Sequence, residues 1–288
     1  MLGSSSNIDV ETQYLFLSEG PKDPPKESCG PAGTPSEQPA LAMERSRGMR
    51  ESWNVSFSWV RRHKILSSFV VVLAWVILEL VMLPFGDVRR FKTVNPTETA
   101  FMRAHEDEAI AQGKHFRKTQ RWIAFSNIPK EAVNAVIVSE DGTFWSHSGF
   151  DWFEFRESIE RNLKEGRAAR GASTITQQLV KNLFLSSSKN PLRKFKEWVL
   201  TWYTERTLSK QRILELYLNV IEWGWGIYGI EAASLQYFGK SATLLSREEA
   251  ARLAAVIPSP RRYRVDRENR FLERRSQLIL SRMAAQGL

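Results

Sequence analysis

The sequence predicts a mostly α-helical domain carried behind a single transmembrane helix, and three observations lead there. The stretch Ile65–Phe85 reads ILSSFVVVLAWVILELVMLPF, 21 residues with one charged side chain among them, and at about 1.5 Å of rise per residue it can cross a hydrocarbon layer of about 30 Å. Beyond it, helix-start signals recur: Thr174 with Gln177 and Ser246 with Glu249 have capping-box spacing, and Asn190 followed by Pro191 reads as an N-cap and a first helical residue. Apolar residues downstream keep helical intervals, interrupted only by short β-like runs such as Ala135–Val138.

Residues 1–44 are rich in Ser, Pro, Gly and Glu and poor in large apolar side chains. They cannot bury enough surface to offset the entropy of ordering, so a disordered tail is expected. The tail carries a net charge of −5 against +9 for the whole chain, which leaves +14 on residues 45–288. Such a basic balance fits nucleic acid, an anionic membrane or an anionic substrate. No zinc-finger spacing, RNP-like aromatic strand or basic zipper accompanies the charge, so no nucleic-acid partner is expected. The only cysteine, Cys29, lies in the tail, which excludes an intrachain disulfide.

Residues 45–64 form a basic juxtamembrane segment that ends in Arg61, Arg62, His63 and Lys64. Under the positive-inside bias this cluster stays cytoplasmic, although Arg89, Arg90 and Lys92 weaken the contrast; the N-terminus is expected inside and residues 86–288 outside. The anchor, residues 65–85, is too far from Met1 for an ordinary cleaved signal peptide and has no small-residue cleavage site after it, so it should be retained. Glu79 sits near its outer end, where the penalty for an ionisable group, about 2.5 to 3.5 kcal/mol at the bilayer centre, is smaller. It reads as a tolerated, snorkelling or protonated carboxyl more readily than as a contact to a partner helix. Distant acidic residues contribute little to topology, so the tail is dispensable for orientation. Translation is expected to start at Met43 or Met49, the tail being otherwise a disordered cytoplasmic appendage.

Residues 86–288 suit one medium domain. Leu192, Phe195, Val199 and Trp202 mark the apolar face of one helix, and Ile213, Leu216, Tyr217 and Val220 that of the next. Further helices are expected over Tyr228–Phe238, closed by Gly239, over Ser246–Ile257, stopped by Pro258, and over Glu268–Ala285.

Three blocks inside this domain carry acidic, amide and basic residues between aromatic anchors. In SEDGTFWSHSGFD an apolar run gives way to a glycine-bearing polar loop, which places Glu140 and Asp141 where a rigid element meets solvent. A carboxylate works best as a base when its pKa rises toward operating pH, and Phe144, Trp145 and Trp152 could supply a desolvated wall. Taken alone, the block reads more readily as a solvated acidic turn with its aromatics in the core, and His147 as a packed or hydrogen-bonding side chain rather than a metal ligand. In RGASTITQQ small residues precede a helix whose first turn has free backbone donors, a natural seat for phosphate, and Gln177, Gln178 and Lys181 share a face. An ordinary well-capped surface helix explains it as well. Asn190–Glu197 adds Arg193 and Lys194 on the face of Glu197; an exposed intrahelical ion pair, worth about 0.3 to 0.5 kcal/mol, is the alternative there. Together, two carboxylates bracketing amides and cations are what transfer from an anionic leaving group requires.

These blocks, in this order and followed by ILELYLNVIEWGWGIYGIEAASLQYFGK and EEAARLAAVIPSP, closely resemble the peptidoglycan glycosyltransferases of family fifty-one, in particular the monofunctional membrane-anchored kind. The resemblance covers about residues 133–260. Its first motif falls on Glu140, Asp141, Phe144, His147, Gly149 and Asp151, which implies that Glu140 is the catalytic base. Its second is met by Gly171, Ser173, Thr174, Thr176, Gln177 and Gln178, with Ala172 where many members have a second glycine. Its third falls on Arg193, Lys194 and Glu197, the second essential carboxylate, while Lys181 and Lys189 stand where the family contacts a diphosphate. Glu215 and Asn219 match the fourth, in a structural or a chemical role.

The resemblance implies a lysozyme-like, all-α fold in a single-pass bacterial inner-membrane enzyme that polymerises lipid II on the periplasmic side. Asp141, Ser173, Thr174, Gln177, Gln178, Lys181, Lys189, Arg193 and Lys194 would bind lipid II and the growing glycan chain, and a divalent cation (Mg²⁺ or Mn²⁺) could help stabilise the leaving diphosphate. Glu197 would orient the cations or hold that metal. No transpeptidase pattern precedes Leu288, so cross-linking is expected from partner transpeptidases. A lysozyme-like glycan-cleaving enzyme, with Glu140 as general acid, and a non-enzymatic lipid II scaffold are the rival readings. The first has no need of an anchor or a diphosphate site, and the second would be favoured by the loss of a key carboxylate, which this sequence keeps.

Overall fold

The computed structural model describes residues 63–165, 173–185 and 190–288. The expectations for the tail, for most of the juxtamembrane segment, for the start at Met43 or Met49, and for Gly171, Ala172 and Lys189 lie outside those residues. The chain divides into two compact units, Met1–Val70 and Val71–Leu288. Of the first, residues 63–70 are described, and from Lys64 they form the opening of helix α1 (Lys64–Val81).

Helix α1 is 18 residues long, with none of them buried, and by length and composition it can cross a membrane. It stops short of the expected Phe85. Pro84 has no N–H for a helical hydrogen bond and disfavours helical geometry in the residue before it. Leu83 instead joins a small apolar cluster with Val88, Val180, Leu185 and Leu200, and the chain restarts as α2 (Phe85–Arg90). Glu79, read from sequence as an unpartnered carboxyl, has a partner: it is paired with Lys196. At this depth an ammonium from the same chain offsets the desolvation that the carboxylate would otherwise meet alone.

The domain is built from α3 (Ala100–Ala111), α4 (Lys130–Glu140), α5 (Trp152–Glu165), α6 (Ile175–Phe184), α7 (Pro191–Thr207), α8 (Lys210–Val220), α9 (Ile230–Phe238), α10 (Arg247–Val256) and α11 (Arg270–Ala285). A small sheet in the order β1 (Thr119–Gln120), β3 (Ile227–Tyr228), β2 (Glu222–Gly224) pairs β1 and β3 in parallel and β3 and β2 antiparallel. Helices α4, α10 and α11 pack on one another, and α6 packs on α7, α8 and α3. Ile213, Leu214, Leu216, Tyr217, Leu218 and Val220 of α8 are fully buried, so the expected core face of that helix is in place.

Two sequence expectations are corrected. Ala135–Val138 is helical, inside α4, whose Ala132, Val133, Ala135, Val136, Ile137 and Val138 are all buried. A short run buried on every side has no period to distinguish strand from helix, and the core here is filled by the helix. On α7 the apolar stripe is not the buried face: Phe195 and Trp202 are exposed, while Glu197, Leu200, Thr201 and Thr204 are buried. Periodicity locates an apolar face but not the side on which the core lies; here the inward face holds a carboxylate neutralised by its own helix. The expected ends at Gly239 and Pro258 and the caps at Thr174, Asn190 and Ser246 are all present. Gly239 closes α9 at φ 69°, a left-handed geometry that favours glycine. Helices α3 and α5 escaped the sequence reading. Of the 12 residues in α3 only Met102 and Ala109 are buried, too few to leave a readable stripe.

Candidate active site

Glu140 is the last residue of α4, so a helix anchored in the core by Ala132, Val133, Ala135, Val136, Ile137 and Val138 delivers its carboxylate to the edge of the core. Its Oε1 accepts from Ser139 Oγ at 3.0 Å and from Arg275 Nη2 at 3.1 Å, and its Oε2 accepts from Gln178 Nε2 at 3.1 Å. The orientation of the Gln178 amide is fixed from behind, because the Tyr217 hydroxyl donates to Gln178 Oε1 at 2.8 Å. Burial first, and then the charges of Glu140 and Asp141, push the Tyr217 phenol well above its ordinary pKa. It therefore stays a donor, and the amide nitrogen of Gln178 has to face the carboxylate.

Asp141, the next residue, points the other way. Its carboxylate is buried, accepting from the Ile175 N–H at the start of α6 at 2.9 Å and contacting His147 Nε2 at 2.8 Å. The Gly149 N–H donates to His147 Nδ1 at 3.1 Å, which leaves Nε2 as the donor toward Asp141. Thr174 caps α6 in a reciprocal capping box with Gln177 and donates to the Gly149 carbonyl at 2.7 Å. Asp141, His147, Thr174 and Gln177 thus lock the loop after α4 onto the N-terminus of α6, where the macrodipole favours the carboxylate. Ser173, by contrast, is exposed beside the same helix start.

Lys181 is one turn beyond Gln178 on α6 and half-buried, with its ammonium over the Phe101 ring, 5.3 Å from the centroid. Among the described residues it makes no ion pair. Burial, followed by the Arg193 charge, lowers its pKa, and the opposing pull of Glu197 is weaker. On α7, Glu197 is 2% exposed and accepts from Arg193 Nη1 at 2.8 Å and from Lys194 Nζ. The ion pairs that the sequence reading weighed as an exposed, silent cluster exist, but around a buried acid; Arg193 Nε is itself buried with no partner. The pair holds a cationic wall in place beside Lys181.

Glu140, Gln178, Lys181, Asn182 and Tyr217 line one cavity of about 540 Å³, closed on another side by the segment 257–262. The aromatic wall expected from Phe144, Trp145 and Trp152 is not at this cavity. Phe144 packs edge-on to Trp145 and His147, and the rings beside Glu140 are Phe101 and Tyr217. His105 and Glu222 also line it, with His105 Nδ1 3.2 Å from Glu222 Oε2 and 3.1 Å from the Tyr228 hydroxyl. Glu215 and Asn219 have structural work: Glu215 accepts from Trp122 Nε1 at 3.1 Å, and the Asn219 amide exchanges hydrogen bonds with the Ile123 backbone and also donates to the Glu215 carbonyl at 2.7 Å. Among the described residues no group of three His, Cys, Asp or Glu side chains could hold a metal ion, and both oxygens of Glu197 are taken by cations.

Residues 106–284 match the sequence profile described as Transglycosylase. The chain belongs to the transglycosylase family. Its relatives include the biosynthetic peptidoglycan transglycosylase of Nitrosospira multiformis, 43% identical over 204 residues that make up 71% of this chain and 89% of that protein. The protein of the same description from Methylobacillus flagellatus is 47% identical over 194 residues, 66% of this chain and 82% of its own length. That of Janthinobacterium sp. (strain Marseille) is 42% identical over 230 residues, 78% and 97% of the two chains. In this transglycosylase the residues that sequence reasoning missed are Tyr217, Phe101, His105, Glu222 and Arg275. Tyr217 was hidden inside an apolar stripe, and Arg275 is one of many basic residues near the C-terminus.

Proposed function

We propose that this transglycosylase polymerises lipid II into β1,4-linked glycan strands in bacterial cell wall biosynthesis, and that Glu140 is the base. The observation that carries the reading is the shared cavity: a carboxylate held in a fixed orientation and a half-buried ammonium, without an ion pair among the described residues, face one space, with Gln178 between them. The acceptor is the 4-hydroxyl of the GlcNAc of an incoming lipid II. Its proton passes to Glu140 while its oxygen attacks the anomeric carbon of the growing chain. The bond from that carbon to undecaprenyl diphosphate breaks, and the α-linked donor becomes a β-linked product in a single in-line inversion. General-base assistance contributes a factor on the order of 10² to 10⁴.

Charge develops on the departing diphosphate, which Lys181 in the cavity would meet, with the charge of Arg193 beside it. A cation already in the cavity needs no reorganisation at the moment of reaction, which is where preorganised electrostatics has its effect. Glu197 keeps Arg193 and Lys194 oriented. A divalent cation, where one takes part, would arrive with the diphosphate rather than on a protein-built site. The chain is anchored in the inner membrane by α1 with its N-terminus cytoplasmic and the domain periplasmic, and transpeptidases working beside it cross-link the strands.

Replacing Glu140 with Gln keeps the size and removes the basicity. Polymerisation of lipid II by Glu140→Gln should fall at least about 10²-fold with lipid II binding retained. Near-normal turnover by that variant would remove Glu140 from the chemistry. The same assay run on finished peptidoglycan separates the glycan-cleaving alternative, which would release fragments.

A further inference from the structure

We propose that Arg275, on the last helix and beyond the motifs that match the family pattern, is a positioning residue that clamps Glu140 and decides which of its oxygens takes the proton. Helix α11 packs along α4 and α10, which brings a guanidinium from far along the chain to the end of α4. Arg275 Nη2 donates to Glu140 Oε1 at 3.1 Å and to Ser139 Oγ at 3.0 Å, and Ser139 Oγ itself donates to the same Oε1. Oε1 thus has two donors. Oε2 has one, Gln178, and keeps a lone-pair direction open to an incoming hydroxyl.

The arrangement is more than a surface ion pair. The Glu140 side chain is 10% exposed and that of Arg275 28%, so the two charges face each other largely out of water, where geometry matters most. Among the described residues Glu140 is the only acid that Arg275 contacts, and its Nε is buried without a hydrogen-bond partner. Arg275 and the Tyr217–Gln178 arm hold the carboxylate from opposite sides, so it cannot swing when the acceptor arrives. In the reaction the acceptor O–H bond breaks and the proton lands on Oε2, while Oε1 stays on the guanidinium.

This inference rests on Glu140 being the base, and a double-mutant cycle on the full chain with lipid II separates the two. Arg275→Gln should lower kcat about 10-fold with KM for lipid II changed less than about twofold, and Arg275→Lys should recover part of the loss. In the Glu140→Gln background Arg275→Gln should add almost nothing, because the group it positions no longer takes a proton. An equal loss in both backgrounds, or a raised KM with kcat kept, overturns the positioning role and leaves the base assignment standing. Near-normal polymerisation by Glu140→Gln alone sinks the base assignment whatever Arg275 does. If thermal melting shows that Arg275→Gln does not fold, Arg275→Lys takes its place in the cycle under the same criteria.

Discussion

Lys181 shows how a single side chain is prepared for an anion. Its charge is held in a half-buried site beside Arg193 and Lys194, and among the described residues no carboxylate pairs with it directly. Its pKa is therefore lowered in the free protein, and a bound diphosphate would raise it again. Anion binding is thus linked to proton uptake at this lysine. The sign follows: affinity for a lipid diphosphate or for a phosphoglycolipid mimic of the donor is full while Lys181 is charged, and it weakens as pH rises through the lowered pKa, earlier than an ordinary lysine would allow. Titration calorimetry across the alkaline range should show that fall, and Lys181→Ala should remove it together with much of the affinity. Unchanged inhibitor affinity in Lys181→Ala would move this lysine out of the donor site. The sequence made Gln178 and Lys181 legible through their spacing on α6, and Arg193, Lys194 and Glu197 through theirs on α7. It could not show Tyr217 or Arg275 against Glu140, because those contacts join residues with no local pattern between them.

At the scale of elements, the N-terminus of α6 joins the two halves of the site. Thr174 closes the capping box and also grips the Gly149 carbonyl, and Asp141 reaches the first N–H of the same helix. Thr174→Ala should cost about 1 to 2 kcal/mol for the cap, seen as a fall in Tm of about 2 to 4 °C per kcal/mol for a domain of this size. Thr174→Ser keeps the hydroxyl and should stay close to the parent. A melting point unchanged in Thr174→Ala would mean that the loop does not depend on this cap. The caps were readable because they are local chemistry with fixed spacing, and so were the stops at Gly239 and Pro258. The inward faces of α4 and α7 were not, because which side of a helix meets the core is decided by elements far away in sequence.

On the scale of the whole molecule, the anchor and the catalytic domain are linked by more than the chain. Lys196 on α7 pairs with Glu79 near the end of α1, and its neighbours Phe195, Trp198 and Trp202 are exposed. Trp152, Phe153 and Ile159 of α5 are exposed as well, and Phe150 contacts both Trp152 and Trp198. Contiguous apolar surface of this kind is uncommon on a domain that meets only water, and Trp is favoured where a membrane meets water. A soluble partner would cover such a face equally well in principle, but the ion pair holds α7 beside a helix long and apolar enough to cross a bilayer, which favours the bilayer as the surface this face meets. The substrate is itself lipid-anchored, and a domain resting on the membrane holds its cleft where lipid II arrives. Residues 86–288 without α1 should therefore still bind vesicles, in high salt as well as low, because the contact is apolar rather than electrostatic. Replacing Trp152, Phe153 and Trp198 together with Ser should release them into solution in a flotation assay with the fold intact by circular dichroism. If the triple variant floats as the parent does, the aromatic face is not the membrane contact, and the anchor alone holds the enzyme at its substrate.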